Sequence, residues 1–363
     1  MADLPQKLVN KTYLVTGAAG FVAKELIPYL LAEGALVFGL VHTSVPDFPA
    51  SKQLHMVKTI AELAAVLGEL KLGDQYIDGV IHLAGAGIGD WPWTKDRKQV
   101  LQASRWDLID QLHQQLRQCH IQVGRILGAS AIGFYGHTGD HLIEESAAKG
   151  RGFAAHLCEG VEQRLSKAAQ LQSLVADTSI KENELDLQQS QTHATPATPW
   201  YALRIGVVIG PEGGVLAKLQ LSHKLGLGAI LGSGQQWLSW IDRRDLVNAI
   251  VFLLHHDVAS GAVNLTAPNP VRWRDFSHSL SGVFGRKTRI KVPAMALAPL
   301  GEMKSLFLDS VRVMPAVLLK AGFQFKHDHL TQSLAYNVAA KAAVDLEAPA
   351  KAQHQQPVKK SAK

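Results

Sequence analysis

The chain has 363 residues, of which 47% are hydrophobic and 19% are charged, a composition typical of a soluble globular protein. The net charge of +6 is mild, and no basic helix with interleaved aromatic residues occurs, which argues against a nucleic-acid partner. Two cysteines give neither a disulfide framework nor a metal-ligand spacing. The first residues, MADLPQKLVNKTYLVTG, lack the apolar stretch of a secretory signal, and no apolar run is as long as a membrane span, so we expect a cytoplasmic protein without a membrane partner.

Short apolar runs bounded by turn residues alternate with stretches of helical periodicity. The strand-like runs, in chain order, are TYLVTG, ALVFGLVH, DGVIHLAG, GRILGASAIGFYG and WYALRIGVVIG. The helical patterns between them include FVAKELIPYLLAEG, AELAAVLGEL and RWDLIDQLHQQLRQC. Strands that are apolar throughout and alternate with helices predict a parallel sheet covered on both faces, a doubly wound α/β fold.

The segment LVTGAAGFVAKEL places two glycines between the first strand and the first helix. Gly17 and Gly20 permit a close approach of the backbone to a ligand, and the N-terminus of the following helix suits a pyrophosphate. Ala23 stands where a third glycine would complete the dinucleotide-binding spacing. This context favours a Rossmann-type phosphate turn, and an ordinary tight turn is the alternative.

The end of the second strand bears on the choice between NAD and NADP. An acid there would hold the ribose 2′-OH of NAD, but none occurs from 41 to 44, and Asp47 comes too late. His42, Thr43 and Ser44 can instead donate hydrogen bonds to a 2′-phosphate. This pattern favours NADP over NAD, although no arginine supports it and His42 also fits a surface residue without a role.

Six further stretches join the glycine turn in one resemblance. They are VIHLAGAGIGDWPWTKDRKQVLQASR, GASAIGFYG, LRIGVVIGPEGGVLAKL, KLGLGAILGSGQQWLSWIDRRDLVNAI, VNLTAPNPV and GEMKSLFLDSVRVMPAVLLKAGFQF. Together they resemble the epimerase family, the nucleoside-diphosphate-sugar epimerase-like branch of the extended or atypical short-chain dehydrogenases/reductases. The resemblance runs from about Thr12 to about Asn337.

The resemblance implies an NADP-preferring Rossmann-type domain followed by a smaller C-terminal substrate lobe. We place the first at 11–265 and the second at 266–338. Polar residues from about 170 to 199 predict a flexible insertion within the first domain. The Ala-, Lys-, Gln- and Pro-rich residues 339–363 predict a disordered tail.

The resemblance also implies a set of cofactor contacts. They comprise the glycine turn, the end of the second strand, the strand end that runs under the adenine and ribose, and a Ser-Arg pair near the cofactor. At the end of the second strand, His42 stands where the family has an arginine near the 2′-phosphate. The positions are Gly17, Ala19, Gly20, Phe21, Val22, His42, Thr43, Leu83, Ala84, Gly85, Ser104 and Arg105.

The chain lacks the proton-transfer pair of typical short-chain dehydrogenases, Tyr-x-x-x-Lys on one helix face. In that pair the ammonium lowers the pKa of the phenol, which can then exchange a proton as hydride moves. None of the six tyrosines has a lysine four residues later, and Phe153 and Leu157 occupy the expected positions. Ser130 lies where the triad serine belongs, and Tyr135 follows on the same loop. Both are candidate catalytic residues, although Ser130 equally fits a small residue that ends a strand.

The segment GSGQQWLSWIDRRDL supplies the candidate substrate contacts. Gln236 and Trp237 offer an amide and an indole, which suit a sugar or another planar polar ligand. Trp240 fits a buried core position at least as well. Asp242 and Asp245 predict a helix N-cap and a first-turn acid.

Two other acids, Glu144 and Glu145 in HLIEES, predict a helix cap or a solvated loop. We expect no metal site.

Two functions fit these observations. The first is an NADP(H)-dependent oxidoreductase or epimerase-like enzyme that acts on a small polar, nucleotide-sugar-like substrate. The sequence leaves open whether it forms a homodimer. The second is a non-catalytic NADPH-sensing regulator or protein-interaction partner. The missing Tyr-x-x-x-Lys pair favours the second, and the Gln/Trp segment favours the first.

Overall fold

The computed structural model describes residues 8–41, 46–70, 75–176, 197–211 and 213–340. In the first half of the chain, strands and helices alternate. They are β1 (Thr12–Thr16), α1 (Ala23–Ala32), β2 (Leu36–Leu40), β3 (Leu54–Val57), α2 (Ile60–Glu69), β4 (Tyr76–Ile77), β5 (Gly79–His82), α3 (Lys95–Ala103), α4 (Trp106–Gln118), β6 (Gln122–Val123), β7 (Ile126–Ala131), a 3-10 helix (Ile132–Tyr135) and β8 (Leu142–Ile143).

The second half begins with a long helix and continues with shorter elements. They are α5 (Phe153–Ala176), β9 (Trp200–Ile205), β10 (Val207–Ile209), α6 (Gly214–Lys224), β11 (Ala229–Leu231), β12 (Trp237–Leu238), β13 (Trp240–Asp242), α7 (Arg243–His255), β14 (Gly261–Leu265), β15 (Val271–Arg272), α8 (Trp273–Val283), β16 (Ile290–Val292), a 3-10 segment (Ala294–Lys304), α9 (Ser305–Leu308), β17 (Arg312–Val313) and α10 (Ala316–Lys320). A last helix, α11, includes 330–340.

Seven strands form one parallel sheet in the order β14-β9-β7-β5-β1-β2-β3. Strands are added on one side of β1 as far as β3, and from β5 onward they are added on its other side. This reversal between β1 and β5 is the topological switch point of doubly wound folds, outside which ligands bind at the carboxyl ends of the strands. The doubly wound α/β class predicted from the sequence is therefore confirmed.

Helices cover both faces of this sheet, as continuously apolar strands require. All five residues of β1 and all four of β5 are buried. One core cluster joins the sheet to α1 and α7, through residues that include Leu26, Leu30, Leu246 and Ile250. The other joins it to α2, α4 and α5, through residues that include Leu63, Leu112, Leu116 and Leu165.

Small strand pairs attach the C-terminal part of the chain to the rest. β8 pairs with β17, β11 with β16, and β12 with β15. In each pair one strand precedes residue 266 and the other follows it. A further core cluster under these pairs includes Trp240, Trp273 and Phe276, so Trp240 is a core residue. The domain boundary at 265/266 stays a prediction.

Two predicted elements differ from those observed. The run WYALRIGVVIG forms two strands, since β9 pairs within the central sheet and β10, after Gly206, pairs with β13. The backbone passes close to Ser239 at Gly206, where a Cβ would lie 2.8 Å from the Ser239 oxygen. The polar insertion was placed too early, at about 170. Helix α5 continues to Ala176, and within this stretch Gln172, 2% exposed, donates to the backbone oxygen of Ile121 at 2.9 Å.

The remainder of the insertion, 177–196, and the tail from 341 lie outside the described residues. Across the ranges that the structure does describe, no helix combines the length and apolarity needed to cross a membrane.

Candidate functional site

The turn after β1 packs against the end of β5 at the switch point. Gly17 has a φ of +68°, and a Cβ there would lie 2.7 Å from the amide nitrogen of Ala84 and 2.9 Å from the carbonyl carbon of Leu83. The Gly20 amide donates to the Gly17 oxygen at 2.7 Å, and the Ala84 amide donates to Oγ1 of Thr16 at 3.2 Å. Only glycine fits so close to the end of β5. The glycine turn and the strand end at Leu83 and Ala84, two predicted cofactor segments, therefore lie in contact.

The start of α1 has no side-chain cap. Helix α1 begins at Ala23, and Val22 before it makes no side-chain cap hydrogen bond. The next two amides, of Lys24 and Glu25, donate to backbone oxygens of the turn at 3.0 and 3.1 Å, so an anion would bind to the amides that precede them. Glu25 in the first turn would repel a phosphate, but it forms an ion pair with Arg243. The Arg243 guanidinium also lies 4.6 Å from the ring centre of Phe21. Arg243 therefore neutralises the acid of this turn.

A cavity of about 360 Å³ opens at the carboxyl ends of β1, β2, β3 and β5. Of the predicted cofactor contacts, Gly17, Ala19 and Ala84 line it. The lining residues are Thr16, Gly17, Ala18, Ala19, Leu40, Val41, Lys58, Thr59, Ile60, Ala84, Leu108, Gln111, Leu112 and Gln115. None of these is acidic. His42, Thr43 and Ser44 lie outside the described residues, so their contacts stay predictions.

Several residues of this cavity were not predicted from the sequence. Lys58 and Thr59 directly follow β3, and the carboxyl ends of parallel strands share one edge of a sheet, so their position was a usable signal. Gln111 and Gln115 lie four residues apart on α4, which places both on one helix face. Nothing in the sequence indicated that this face borders the cavity.

The Ser-Arg pair holds the loop that follows β5. The Ala86 amide donates to Oγ of Ser104 at 3.0 Å, and Nη2 of Arg105 donates to the Ala86 oxygen at 3.0 Å. The guanidinium lies over Gly85, where a Cβ would come within 2.9 Å of it. Burial lowers the pKa of Arg105, and among the described residues it has no carboxylate partner. A positive charge is thus held against this loop.

Polar side chains stand side by side on three neighbouring strands. Ser130 on β7, Arg204 on β9 and Asn264 on β14 are direct partners in the sheet register. Oγ of Ser130 donates to Oε1 of Glu162 on α5 at 3.0 Å. Arg204 grips both oxygens of that carboxylate, at 2.9 and 2.8 Å. The candidate Ser130 is therefore tied to a buried ion pair.

Tyr135 joins the same network. Its hydroxyl donates to Oδ1 of Asn264 at 2.6 Å and accepts from Nη1 of Arg204 at 2.8 Å. The side chain is 3% exposed, and burial raises the pKa of the phenol. The hydroxyl is thus occupied by protein partners, and its catalytic role stays a prediction.

Glu145 is partly buried and accepts from the first turn of another helix, so of the two predictions for it the solvated loop is wrong. Its Oε1 accepts from the backbone amides of Asn264 and Val317, at 3.0 and 3.2 Å. Burial raises the pKa of this carboxyl. Glu145 thereby connects β14 to the first turns of α10, a contact that its exposed-looking sequence, HLIEES, conceals.

The helix face that would carry Tyr-x-x-x-Lys is apolar. Phe153 and Leu157 belong to a buried cluster with Trp93, Leu101 and Met303. Met303 comes from the C-terminal part of the chain, so this cluster also fixes that part against α5. No proton donor stands at either of the two positions.

A second cavity, of about 490 Å³, lies between the segment after Tyr135 and the C-terminal part. Its lining residues are His137, Gly139, Asp140, Gly232, Ser233, Gln235, Gln236, Arg272, Ala294, Leu308 and Ser310. Gln236 is 7% exposed, and its Nε2 donates to the oxygens of Leu231 and Phe307 at 2.9 and 3.0 Å. This fixes the orientation of the amide.

Trp237 stands beside this cavity between two cations. Its ring centre lies 4.0 Å from the Arg272 guanidinium and 4.4 Å from that of Arg312. The indole N–H donates to Asp140 at 3.0 Å, and Arg272 donates to the same oxygen at 2.7 Å. The rim of the cavity thus offers both donors and acceptors.

A parallel sheet in this order, with a glycine turn and a cavity at its switch point, defines a Rossmann-type dinucleotide-binding fold. Within the described ranges, no three His, Cys, Asp or Glu side chains form a group that could hold a metal ion. The NAD dependent epimerase/dehydratase family model matches residues 13–156, and a domain of unknown function matches 292–336.

Relatives match over most of the chain. An epimerase family protein of Mycobacterium leprae is 30% identical over 338 residues, 93% of this chain and 97% of the relative. The chloroplastic epimerase family protein SDR39U1 homolog of Arabidopsis thaliana is 30% identical over 335 residues, 91% of this chain and 87% of the relative. The chain belongs to the epimerase family, within the extended short-chain dehydrogenases/reductases.

Solved structures share the fold. The human epimerase family protein SDR39U1 with NADPH has a TM-score of 0.72 and 22% identity, covering 90% of this chain and 98% of that one. The UDP-glucose 4-epimerase of Thermotoga maritima with UDP-glucose has a TM-score of 0.67 and 16% identity, covering 92% and 99%.

Proposed function

We propose that this protein is an NADP(H)-binding oxidoreductase of the epimerase-like type, acting on a small polar, nucleotide-sugar-like substrate. The observation that carries the proposal is the Gly17 turn, which packs onto the end of β5 beside a cavity whose described lining residues include no acid. The human relative crystallised with NADPH and the bacterial one with UDP-glucose support the same reading.

The residues present fit a dinucleotide. The uncapped start of α1 suits the pyrophosphate, and the cavity of about 360 Å³ suits the adenosine half. The lack of an acid among the described lining residues favours a 2′-phosphate over a free 2′-OH. When bound, NADP would supply or accept a hydride.

Ser130 is the residue we expect to meet the substrate. It is the next-to-last residue of β7, which lies two positions along the sheet from β1. Because its hydroxyl proton is directed to Glu162, its oxygen lone pairs are left to accept a hydrogen bond from a substrate hydroxyl. Tyr135 is the candidate proton donor, and this role requires its hydroxyl proton to leave the Asn264 oxygen.

The second cavity is the proposed place for the rest of the substrate. Gln236 already donates both amide hydrogens to backbone oxygens, so its Oε1 is the atom that can accept from a ligand. Trp237 and its flanking arginines supply a flat, charged wall beside it. These groups suit a hydroxyl-bearing, negatively charged ligand.

A non-catalytic NADPH-sensing regulator is the second candidate. It is favoured by the apolar side chains at Phe153 and Leu157 and by the double engagement of the Tyr135 hydroxyl. Under this alternative the first cavity would still bind the cofactor. The two candidates differ only in whether hydride leaves it.

Calorimetric titration of the full chain with NADPH and with NADH tests the proposal. We expect NADPH to bind tightly and NADH weakly. Gly17→Ala should abolish binding, since its Cβ would meet the Ala84 backbone. Gly68→Ala is the matched control because nothing lies within 4 Å of a Cβ there. Binding of neither nucleotide would overturn the proposal.

Incubation with deuterated NADPH and a cellular metabolite extract then separates enzyme from regulator. Transfer of deuterium to a metabolite, lost in Ser130→Ala, supports the enzyme. Tight binding without transfer supports the regulator.

A further inference from the structure

The first cavity has a single charged residue among its described lining residues, Lys58. From the sequence, the residues predicted to contact the ribose 2′ position are those after β2, His42 to Ser44. Lys58 instead follows β3, the neighbouring strand. It is a second candidate for that task, on a different strand.

The sheet register brings the two strand ends together. Leu40, the last residue of β2, pairs with Val57, the last residue of β3. The Val41 amide then donates to the Val57 oxygen at 3.0 Å. Lys58 therefore stands next to Val41, and doubly wound folds read the ribose 2′ position at the end of this second strand. Its flexible four-carbon stem carries an ammonium to this edge of the cavity.

The surroundings of Lys58 leave its charge available. Its backbone amide donates to Oε2 of Glu62 at 2.7 Å, while the Glu62 amide donates to Oγ1 of Thr59 at 3.1 Å. This resembles a capping box at the start of α2, except that the Glu62 carboxylate accepts from the residue before the N-cap Thr59, and it engages that carboxylate with the backbone. Among the described residues, Lys58 forms no ion pair. The positive end of the α2 dipole adds to the potential at the same place.

We infer that Lys58 is the specificity-determining residue for NADP, and that its ammonium binds the 2′-phosphate. The inference rests on the proposed function, since it concerns the same cofactor. A phosphate gains a charge-assisted hydrogen bond from the ammonium. A free 2′-OH gains much less, and with NAD bound the lysine stays in solvent without a partner. Lys58 thus raises the affinity for one cofactor and leaves the other nearly unchanged.

Calorimetric titration of Lys58→Gln with NADPH, NADH and adenosine 2′-phosphate tests this inference. We expect the Kd for NADPH and for adenosine 2′-phosphate to rise about tenfold, the size of one charge-assisted contact at a solvated site, with the Kd for NADH unchanged. Lys58→Arg should retain most of the affinity, and Lys58→Glu should lose more than Lys58→Gln.

Lys52→Gln is the matched control. Lys52 is an exposed lysine shortly before β3 that does not line the cavity, and its removal should change neither affinity. If Lys58→Gln left the ratio of the two affinities as in the parent protein, the inference would be wrong while the proposed cofactor site stood. If the parent protein bound neither nucleotide, the proposed function would fail and the inference with it.

Discussion

Two histidines buried below the first cavity predict a loss of stability in mild acid. His82 ends β5, and its Nε2 lies 2.9 Å from Nε2 of His113 on α4. Burial lowers the pKa of His82 from 6.5 to about 3 and that of His113 well below its ordinary value. Both rings are therefore neutral in the folded protein, and within the described chain neither Nδ1 has a hydrogen-bond partner.

The sign of the pH effect follows from this lowered pKa. Between pH 6.5 and about 3 the unfolded chain binds a proton at His82 that the folded protein does not bind, so stability falls as pH falls through this window. Since pH 5 lies about 1.5 pH units below the unfolded pKa, the loss of stability there is about 2 kcal/mol for His82 alone. At pH 7 it is close to zero.

Urea denaturation at pH 7 and at pH 5 measures this difference. In His82→Gln the decrease between the two pH values should be smaller than in the parent protein by about 2 kcal/mol. His278→Gln, at an exposed histidine on α8, should leave the decrease unchanged. An equal decrease in the parent protein and His82→Gln would refute the reasoning.

Three further substitutions test contacts of the site and its frame by chemical denaturation at pH 7. Asp242→Ala should lower the free energy of unfolding by about 3 kcal/mol, since the buried carboxylate caps α7 and accepts from Arg244, Ser333 and Asn337; an effect under 1 kcal/mol would contradict this. Tyr135→Phe should cost about 1–2 kcal/mol by leaving the Asn264 oxygen unpaired, and unchanged stability would show that the hydroxyl bonds contribute nothing net. Gln236→Glu should cost about 2 kcal/mol at pH 7, because a carboxylate would face two backbone oxygens, and should recover partly in mild acid; a stability independent of pH would exclude this cause.

Local patterns were sufficient to predict the frame of the cofactor site. The continuously apolar runs of β1 and β5 signal buried parallel strands. Gly17 and Gly20 mark the tight turn between strand and helix, and Gly34, with a φ of +91°, ends α1 as expected. These features depend on residues close in sequence, and so they could be read from short segments.

The rest of the site depends on side chains that meet from distant parts of the chain. Ser130, Glu162 and Arg204 come together only because β7 and β9 are neighbours under α5. Glu145 looks like a solvated acid until β14 and α10 cover it. Lys58 gains its position from the pairing of β2 with β3. Such contacts have no local pattern that marks them.

The strand pairs that link early and late segments have a consequence for synthesis on the ribosome. β8, at Leu142–Ile143, cannot pair until β17, at Arg312–Val313, has been synthesised. The carboxylate of Asp242 likewise cannot accept its hydrogen bond from Asn337 until that residue has been synthesised. A nascent chain that has emerged only as far as β14 has a complete central sheet, but its second cavity lacks one wall. Contacts of such long sequence separation form late. The growing chain therefore exposes the incomplete second cavity until nearly all described residues have left the exit tunnel. Chaperones would recognise the chain at this exposed surface.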